Sequence, residues 1–393
     1  EKSIAQSKEK EAVSYSLPHL GVSAGYTHIE KTPMGLKLIG LGKQDNYAVD
    51  LKVAQPLYRG GEIYAGITAA YLSSQAANEQ IRGQVQKTIY DTVKAYFDLL
   101  LAQELYKVQQ KALVTARNHL REVERKLKEG LSFKYDQLRA EVDVTNFEAE
   151  LIKQKNHISL AEVLLLKTMG VSLKSRVALK DQLQYESAAM AYDEALKIAL
   201  LNRYDVLSAV LALGIENEQV KIARSGYLPK INAFFGNQWG RRTNPQTGLL
   251  DAWGREWNYG LSLEWPIFDG LRTKAAISRA KAQVKQKEYL LENLKELVSL
   301  NVEQALFSLQ DADALVQSQN LDLKRSAEAL NLAELNFKEG LASELVLTDA
   351  LSATVRSETL YYSAIYQHNL AKLNLDLAMG VLSPVIIQKD FLK

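Results

Sequence analysis

The side chains that most often carry chemistry are few and widely spaced in this sequence. The chain has no cysteine and five histidines, and no two of those histidines stand four residues apart. This excludes a cysteine nucleophile and a disulfide framework, and it gives little support to a metal cluster. The sequence also lacks a glycine-rich phosphate loop and a nucleophile motif. We therefore predict that the protein is not an enzyme and binds no cofactor or metal.

Charge and hydropathy narrow the class further. The 48 Lys and Arg residues nearly balance the 46 Asp and Glu residues, whereas nucleic-acid-binding proteins usually carry a clear basic excess. No run of 18 apolar residues occurs, so we expect no helix that spans a bilayer. The sequence therefore predicts neither a nucleic-acid partner nor a transmembrane helix.

One tetrapeptide, Lys-Glu-Gly-Leu, occurs at 128–131 and again at 338–341. The same offset, 338 minus 128 or 210 residues, superposes the Met-Gly-Val triplets at 169–171 and 379–381. The offset holds without a gap over 56–171, which indicates a tandem duplication. Its period is too long for a solenoid of short repeats, so the chain is predicted to contain two copies of a large unit.

Each copy follows the same order of patterns. Period-two alternation bounded by Gly, Pro and Asn predicts a β-hairpin, and a proline-free stretch rich in Ala, Leu, Gln, Glu and Lys predicts a long helix. In the first copy, over 1–171, we predict a truncated first helix, a hairpin over about 16–56, a long helix over about 59–129 and a short helix over about 132–169. In the second, over 191–381, we predict a helix over about 192–225, a hairpin over about 229–266, a long helix over about 272–339 and a short helix over about 342–379. Irregular segments are expected over 172–190, as a connector, and over 382–393, as a C-terminal tail.

The repeated tetrapeptide marks the bend of each antiparallel helical hairpin. Gly130 and Gly340 stand where a glycine in the left-handed conformation commonly ends a helix. The lysines two residues before them interact favourably with the negative C-terminal end of the helix dipole. Ser132 and Ser343 are predicted to cap the helices that follow. The arms differ in length, about 105 Å against about 57 Å, so a second short helix must lie beside each long one.

With these elements in order, the sequence closely resembles the TolC-like outer-membrane efflux channels. The resemblance covers nearly the whole chain and rests on an ordered set of features that occurs twice. The set comprises the segments AYFDLLLAQE at 95–104 and ALFSLQDAD at 305–313, both glycine tips, and the helix ends KTMGV and LAMGV. It implies a mainly α fold with a small β part.

The resemblance further implies a homotrimer. Four strands from each protomer would form a 12-stranded barrel in the outer membrane, the helical hairpins would form a periplasmic α-barrel, and 171–190 with the C-terminal tail would form an equatorial belt. A physical argument supports three copies, because four strands alone would leave open edges in lipid.

The alternating residues of the strands are assigned to two faces. Toward lipid we expect Leu20, Val22, Val49, Leu51, Val53, Leu261 and Leu263, with Tyr26, Trp239, Trp257, Tyr259 and Trp265 as aromatic residues of the membrane interface. Toward the lumen we expect Asp50, Lys52, Ser262 and Glu264. The alternative is that the hairpins form a small soluble sheet.

The resemblance gives the helical tips a docking role. The tips look like the motifs that bind a periplasmic adaptor (membrane fusion) protein and, through it, an inner-membrane transporter. Their residues are Gly130, Leu131 and Ser132 in the first copy and Gly340, Leu341, Ala342 and Ser343 in the second. The alternative is that the two glycines are helix caps only.

A second implied role is the periplasmic gate. In this family two aspartates three residues apart ring the constriction; here the second matches Asp349 and the first falls on Val346. A ring of carboxylates repels anions and can bind cations. The family also closes the gate with bonds from a Tyr and an Arg to an Asp. Asp136 matches that Asp, but the other positions fall on Phe337 and Ala342, so the closed state must be held differently or be weaker. The alternative for Asp349 is an ordinary solvated residue.

Together these features predict the outer-membrane exit duct of a Gram-negative bacterium. Such a duct would passively conduct substrates of an inner-membrane pump across the periplasm and outer membrane, in efflux or type I secretion. Competing interpretations are a periplasmic adaptor or a structural helical-hairpin protein without a pore. An adaptor would carry one hairpin within β-rich domains, which the duplication opposes. The sequence does not reveal the cargo.

Overall fold

A computed structural model describes residues 2–29, 44–177, 179, 181–242 and 252–383. Its elements, in chain order, are α1 (Lys2–Ser14), β1 (His19–Ile29), β2 (Gln44–Tyr58), α2 (Glu62–Lys128), α3 (Lys134–Thr168), α4 (Tyr192–Asn202), α5 (Tyr204–Ser225), β3 (Lys230–Arg242), β4 (Gly254–Glu264), α6 (Arg272–Lys338) and α7 (Glu344–Met379). The described residues divide into two compact units, the first within 1–81 and 207–293 and the second within 82–206 and 294–393. Most of the predicted loop between β1 and β2, part of the loop between β3 and β4, and the tail beyond Ser383 lie outside the described residues.

The first unit contains a single antiparallel sheet in the order β1-β2-β3-β4. The two predicted hairpins therefore join through β2 and β3. Directly opposed residues point to the same side of a sheet, and the register pairs Val22 with Leu51 and Val49 with Trp239. Most apolar residues of the four strands consequently share one face, on which Asn237 and Arg255 are polar exceptions, and most of their polar alternates share the other.

Phe234 is the residue that interrupts the alternation of the second hairpin. It lies on the polar face, opposite Gly260 on β4. A Cβ at Gly260 would stand 3.1 Å from the Cζ atom of the ring, so the missing side chain leaves the space that this ring occupies. Phe235 then restores the pattern on the apolar face, where it is paired with Tyr259.

The second unit has a core where the connector crosses the helices. Leu183 of the connector is buried with Leu100 of α2, Val316 of α6 and Ile365 of α7. The described residues of the connector contain no helix or strand. Asn369 Nδ2 donates to its Gln184 carbonyl at 3.0 Å, so side chains of the helices supply hydrogen bonds that a strand partner would otherwise provide.

One fully buried histidine stands beside this core. Neither ring nitrogen of His368 has a hydrogen-bond partner, and the ring packs edge-on against Tyr185 with centroids 4.8 Å apart. Burial lowers the pKa of His368; Asp313, whose Oδ1 is 3.7 Å from Nε2, partly opposes this, and Lys372 adds to it. The imidazole is therefore held in its neutral form.

The predicted glycine caps are confirmed. Gly130 and Gly340 both have φ of +74°, in the left-handed region that glycine occupies without steric cost. The amides of Leu131 and Leu341 each bond the carbonyl five residues earlier at 2.8 Å. This is the Schellman arrangement, and it ends α2 and α6 in the same way.

The predicted serine caps are wrong in their chemistry. Phe133, not Ser132, holds the N-cap position of α3, and the Asp136 carboxylate accepts from the Phe133 amide at 3.0 Å and the Ser132 hydroxyl at 2.9 Å. Ser343 does hold the N-cap position of α7, but its side chain makes no capping hydrogen bond. An acidic residue in the first turn therefore replaces the hydroxyl at the first tip.

The single helix predicted over about 192–225 is also wrong, because α4 and α5 are separated at Arg203. The Asn202 carbonyl accepts from the Arg82 guanidinium, and Arg203 bonds Asp205 at 2.7 Å and the Ala378 carbonyl at 3.2 Å. Asp205 is a local partner, but Arg82 and Ala378 lie far away in the chain. No proline or glycine stands beside the break. Within the described residues, no single helix is both long enough and apolar enough to cross a membrane. The bent pair of α4 and α5, taken together, has the length and composition that such a span needs.

Candidate functional site

The apolar face of the sheet is an unusual surface of the first unit. Leu20, Val22, Leu261 and Leu263 lie on it and are each 67 to 70% exposed in the single chain. A folded protein rarely leaves so continuous an apolar face in water, so lipid or another chain is expected to cover it.

Aromatic residues collect on this face toward the loop end of the strands. Tyr26 and Tyr47 are cross-strand partners with ring centroids 4.9 Å apart, and Trp257 stacks on Tyr259 at 5.8 Å with the rings 8° from parallel. Trp239 shares the face and lies 5.7 Å from the Arg255 guanidinium. The register therefore brings together four of the five aromatic residues that the sequence singled out.

The fifth, Trp265, lies just beyond β4 at the other end of the sheet, and its Nε1 donates to the Tyr227 carbonyl at 3.1 Å. Tyr58 at the end of β2, Tyr227 before β3 and Phe268 beyond β4 are also exposed at this end of the strands. Exposed aromatic residues thus stand at both ends of the apolar face, the arrangement that membrane interfaces favour.

The opposite face of the sheet is polar. Asp50 and Lys52 of β2 alternate with Val49, Leu51 and Val53, and the register pairs Lys52 with Gly236 and Asp50 with Gln238. Ser262 and Glu264 continue this face on β4. Charged and small residues in one surface suit contact with water and not with lipid.

The first helical tip presents apolar side chains to solvent. Leu131, Phe133 and Tyr135 are 73%, 79% and 69% exposed. Ser132 and Asp136 are bonded to each other beneath them. The tip is therefore internally fixed by its cap while its apolar groups remain free for a partner.

The second tip has fewer exposed apolar groups and no exposed aromatic ring. Leu341 is 80% exposed, and Val346 and Asp349 are exposed on the same side of α7, since residues three apart share a helix face. Ala342 is half-buried near the apolar residues beneath the tip.

Phe337 does not join Val346 and Asp349. It is buried in an apolar cluster with Val123 of α2, Ala333 of α6 and Leu347 of α7. Its ring lies 4.0 Å from Lys126 Nζ, which also donates to the Phe337 carbonyl at 2.6 Å. Of the four proposed gate residues, Phe337 therefore packs inside, Asp136 caps α3, and Val346 with Asp349 face outward.

A buried polar pair lies above this cluster. His119 Nε2 of α2 is 2.5 Å from Glu344 Oε2 of α7, and the two side chains are 9% and 7% exposed. Asp143 of α3 lies near both. Burial raises the pKa of Asp143, Arg139 opposes the rise, and Glu344 adds to it.

Comparison with protein-family models matches residues 4–171 and 195–381 to the family described as outer membrane efflux protein. The two ranges contain both copies of the repeat and most of the chain. The chain belongs to the outer membrane efflux protein family. This family consists of channel proteins, not enzymes.

This efflux protein is similar to two curated relatives in sequence and to a solved structure in fold. OprJ of Pseudomonas aeruginosa is 26% identical over 178 residues, which are 45% of this chain but only 37% of OprJ. TolC of Vibrio cholerae is 21% identical over 373 residues, which are 93% of this chain and 83% of TolC. A crystal structure of CusC matches with a TM-score of 0.81 at 18% identity, over 96% of this chain and 87% of that one. The predicted resemblance and the mainly α fold with a small β part are confirmed.

Sequence reasoning missed three side chains of this efflux protein that the fold brings together. His119 counted only as one of five scattered histidines, and neither Glu344 nor Asp143 was singled out. Their separation in the chain, from 119 to 344, gives no local signal. Phe133 and Tyr135, by contrast, lie two and four residues beyond the repeated tetrapeptide, so the predicted bend itself could have drawn attention to them.

Proposed function

We propose that this protein is one protomer of an outer-membrane exit duct, through which substrates of a pump pass from the periplasm to the cell exterior. The observation that carries the proposal is the two-faced sheet, with an exposed apolar face between groups of aromatic residues and a polar face behind it. Lipid on one side and an aqueous lumen on the other satisfy both faces at once.

The duct is a homotrimer. Within the described residues, β1 and β4 are the outer strands of the sheet, and each has one edge without a partner in the single chain. Unpaired backbone groups cost several kcal/mol each in hydrocarbon, so a four-stranded sheet is not stable there alone. Three copies that pair β4 of one protomer with β1 of the next would close 12 strands without an open edge.

The helical tips dock a periplasmic adaptor, which links the duct to an inner-membrane transporter. Leu131 and Phe133 at the first tip and Leu341 at the second offer exposed apolar anchors on bends that their glycine caps hold in place. Apolar groups on a rigid bend cost little entropy to immobilise, which favours binding.

The second hairpin also carries the gate. Val346 and Asp349 are exposed on one side of α7, so a trimer would place three copies of each around its axis. Three carboxylates in a ring would attract cations and repel anions. The gate would hold one carboxylate ring, since Val346 stands where the family pattern has a second aspartate.

A helical-hairpin protein without a pore is the alternative that the test must separate. The chain has no cysteine, so single cysteines can report on each sheet face in outer-membrane vesicles. We expect a water-soluble maleimide to label Ser262→Cys through the lumen and to leave Leu261→Cys, its neighbour on the other face, unlabelled until detergent is added. Equal labelling of both would refute the duct.

The docking role has its own test. Photo-crosslinking groups at Leu131 and Leu341 are expected to capture one periplasmic protein from cells, and the same group at the lumenal Ser262 serves as the control. Capture of the same protein at all three positions would contradict tip docking.

A further inference from the structure

The pair formed by His119 and Glu344 connects the two copies of the repeat. His119 lies on α2 of the first copy, and Glu344 is the first residue of α7 in the second. Their 2.5 Å contact is almost fully shielded from water. The pair therefore ties the start of α7, close to Val346 and Asp349, to a helix of the other hairpin.

The surroundings of this pair make a buried charge energetically unfavourable. The His119 ring packs edge-on against Phe337 with centroids 4.9 Å apart, and Oε1 of Glu344 is buried without a hydrogen-bond partner. Asp143 adds a second carboxylate, and Arg139 is the cation that opposes it. A buried polar pair in such a site adds little stability over an apolar pair of the same shape, so simple helix adhesion does not explain it.

The other contacts between the same helices differ in kind. Val123, Phe337 and Leu347 form an apolar cluster, which tolerates small shifts because apolar contacts have no fixed direction. Lys111 Nζ lies 3.0 Å from Glu358 Oε1 further from the tip, but the lysine side chain is 69% exposed, so water screens that pair. Lys126 Nζ also donates to the Phe337 carbonyl of α6. Of these links, the His119–Glu344 pair is the one that joins two ionisable side chains almost fully shielded from water, so it becomes costly when one member is withdrawn.

We propose that His119 and Glu344 form the latch that holds the α6–α7 hairpin in the closed position of the gate. The inference rests on the proposed function, since it assumes that movement of this hairpin away from α2 opens the duct. In that movement the pair separates and both groups become hydrated. It supplies the polar link that Phe337 and Ala342, which have no suitable polar side-chain groups, do not provide.

Single-channel recording of the full-length protein in planar bilayers tests the latch. We expect His119→Leu and Glu344→Leu each to raise the ratio of open to closed conductance levels by roughly two- to thirtyfold. The double variant should show no further rise beyond the larger single effect, because both changes remove the same link. Arg117→Leu is the matched control, because its 2.6 Å pair with Glu148 joins α2 to α3 within one hairpin and is about half exposed.

A second measurement covers the case in which the leucine variants unfold. The double variant His119→Cys with Glu344→Cys, treated with a short bifunctional maleimide, should lose its open level. The treated pair Arg117→Cys with Glu148→Cys should keep it. Unchanged gating in both leucine variants, or an open level that survives the cross-link at 119 and 344, would overturn the latch. Absence of conductance in the unaltered protein would instead overturn the proposed duct.

Discussion

Replacement of Val22 by arginine is the most quantitative test of the membrane-facing surface. Strand β1 has 11 residues, which at about 3.3 Å each extend about 36 Å. A tilt of about 45° reduces this to a height of about 25 Å, the thickness of the apolar band of an outer-membrane barrel. Val22 is two residues from the middle of the strand, so it would lie about 5 Å from the midplane of the bilayer.

An arginine near the midplane on the lipid face costs about 2–4 kcal/mol per chain. The neighbouring variant Ser23→Arg points to the polar face and is paired with Asp50, so it is expected to change stability by less than about 0.5 kcal/mol. The assay is urea unfolding of the protein in lipid vesicles, followed by the change of its migration on an unheated gel. Equal destabilisation by the two variants, or none by Val22→Arg, would show that the apolar face does not meet lipid.

Three further predictions concern the helices. Gly380→Ala should destabilise the protein by about 2–4 kcal/mol in urea unfolding, because Gly380 has a φ of +69° and the new Cβ would stand 2.9 Å from Arg203 Cα. Gly170→Ala is the control: Gly170 has the same φ, but its new Cβ would have no atom within 4 Å. This variant should therefore cost only about 1 kcal/mol. Burial lowers the pKa of His368 in the folded state, so the contribution of neutral His368 to the free energy of unfolding is complete above pH about 6.5 and is lost as the pH falls below that value. His368→Leu should remove this part of the pH dependence of the urea midpoint. An unchanged dependence of the midpoint on pH would contradict it. Asp349→Ala should raise the conductance or reduce block by divalent cations in planar bilayers, and no change in either would remove Asp349 from the gate.

Periodicity and the duplication predict the elements well because they depend on local chemistry. The long helices end within a few residues of the predicted limits, since Gly130 and Gly340 supply the left-handed cap themselves. The two faces of the sheet could also be predicted, because alternation in a strand fixes which residues share a side. Phe234 appeared as an exception, and the glycine across the strand that accommodates it became known only from the register.

Features that depend on distant partners could not be predicted. At the break, the Asn202 carbonyl is bonded to Arg82 and Arg203 to the Ala378 carbonyl, and no proline or glycine stands beside it. Ser132 looked like a cap, but Phe133 takes the N-cap position and the Ser132 hydroxyl donates to the Asp136 carboxylate instead. The proposed latch joins residues 119 and 344, and the sequence near either residue gives no indication of this contact.

The most direct test of the account is the behaviour of the purified full-length protein in a planar bilayer, with its oligomeric mass measured in the same preparation. The account predicts a trimer that conducts ions through a pore selective for cations, and a loss of both trimer and conductance on heating. A monomer, or a trimer that leaves the bilayer unpermeabilised, would contradict it.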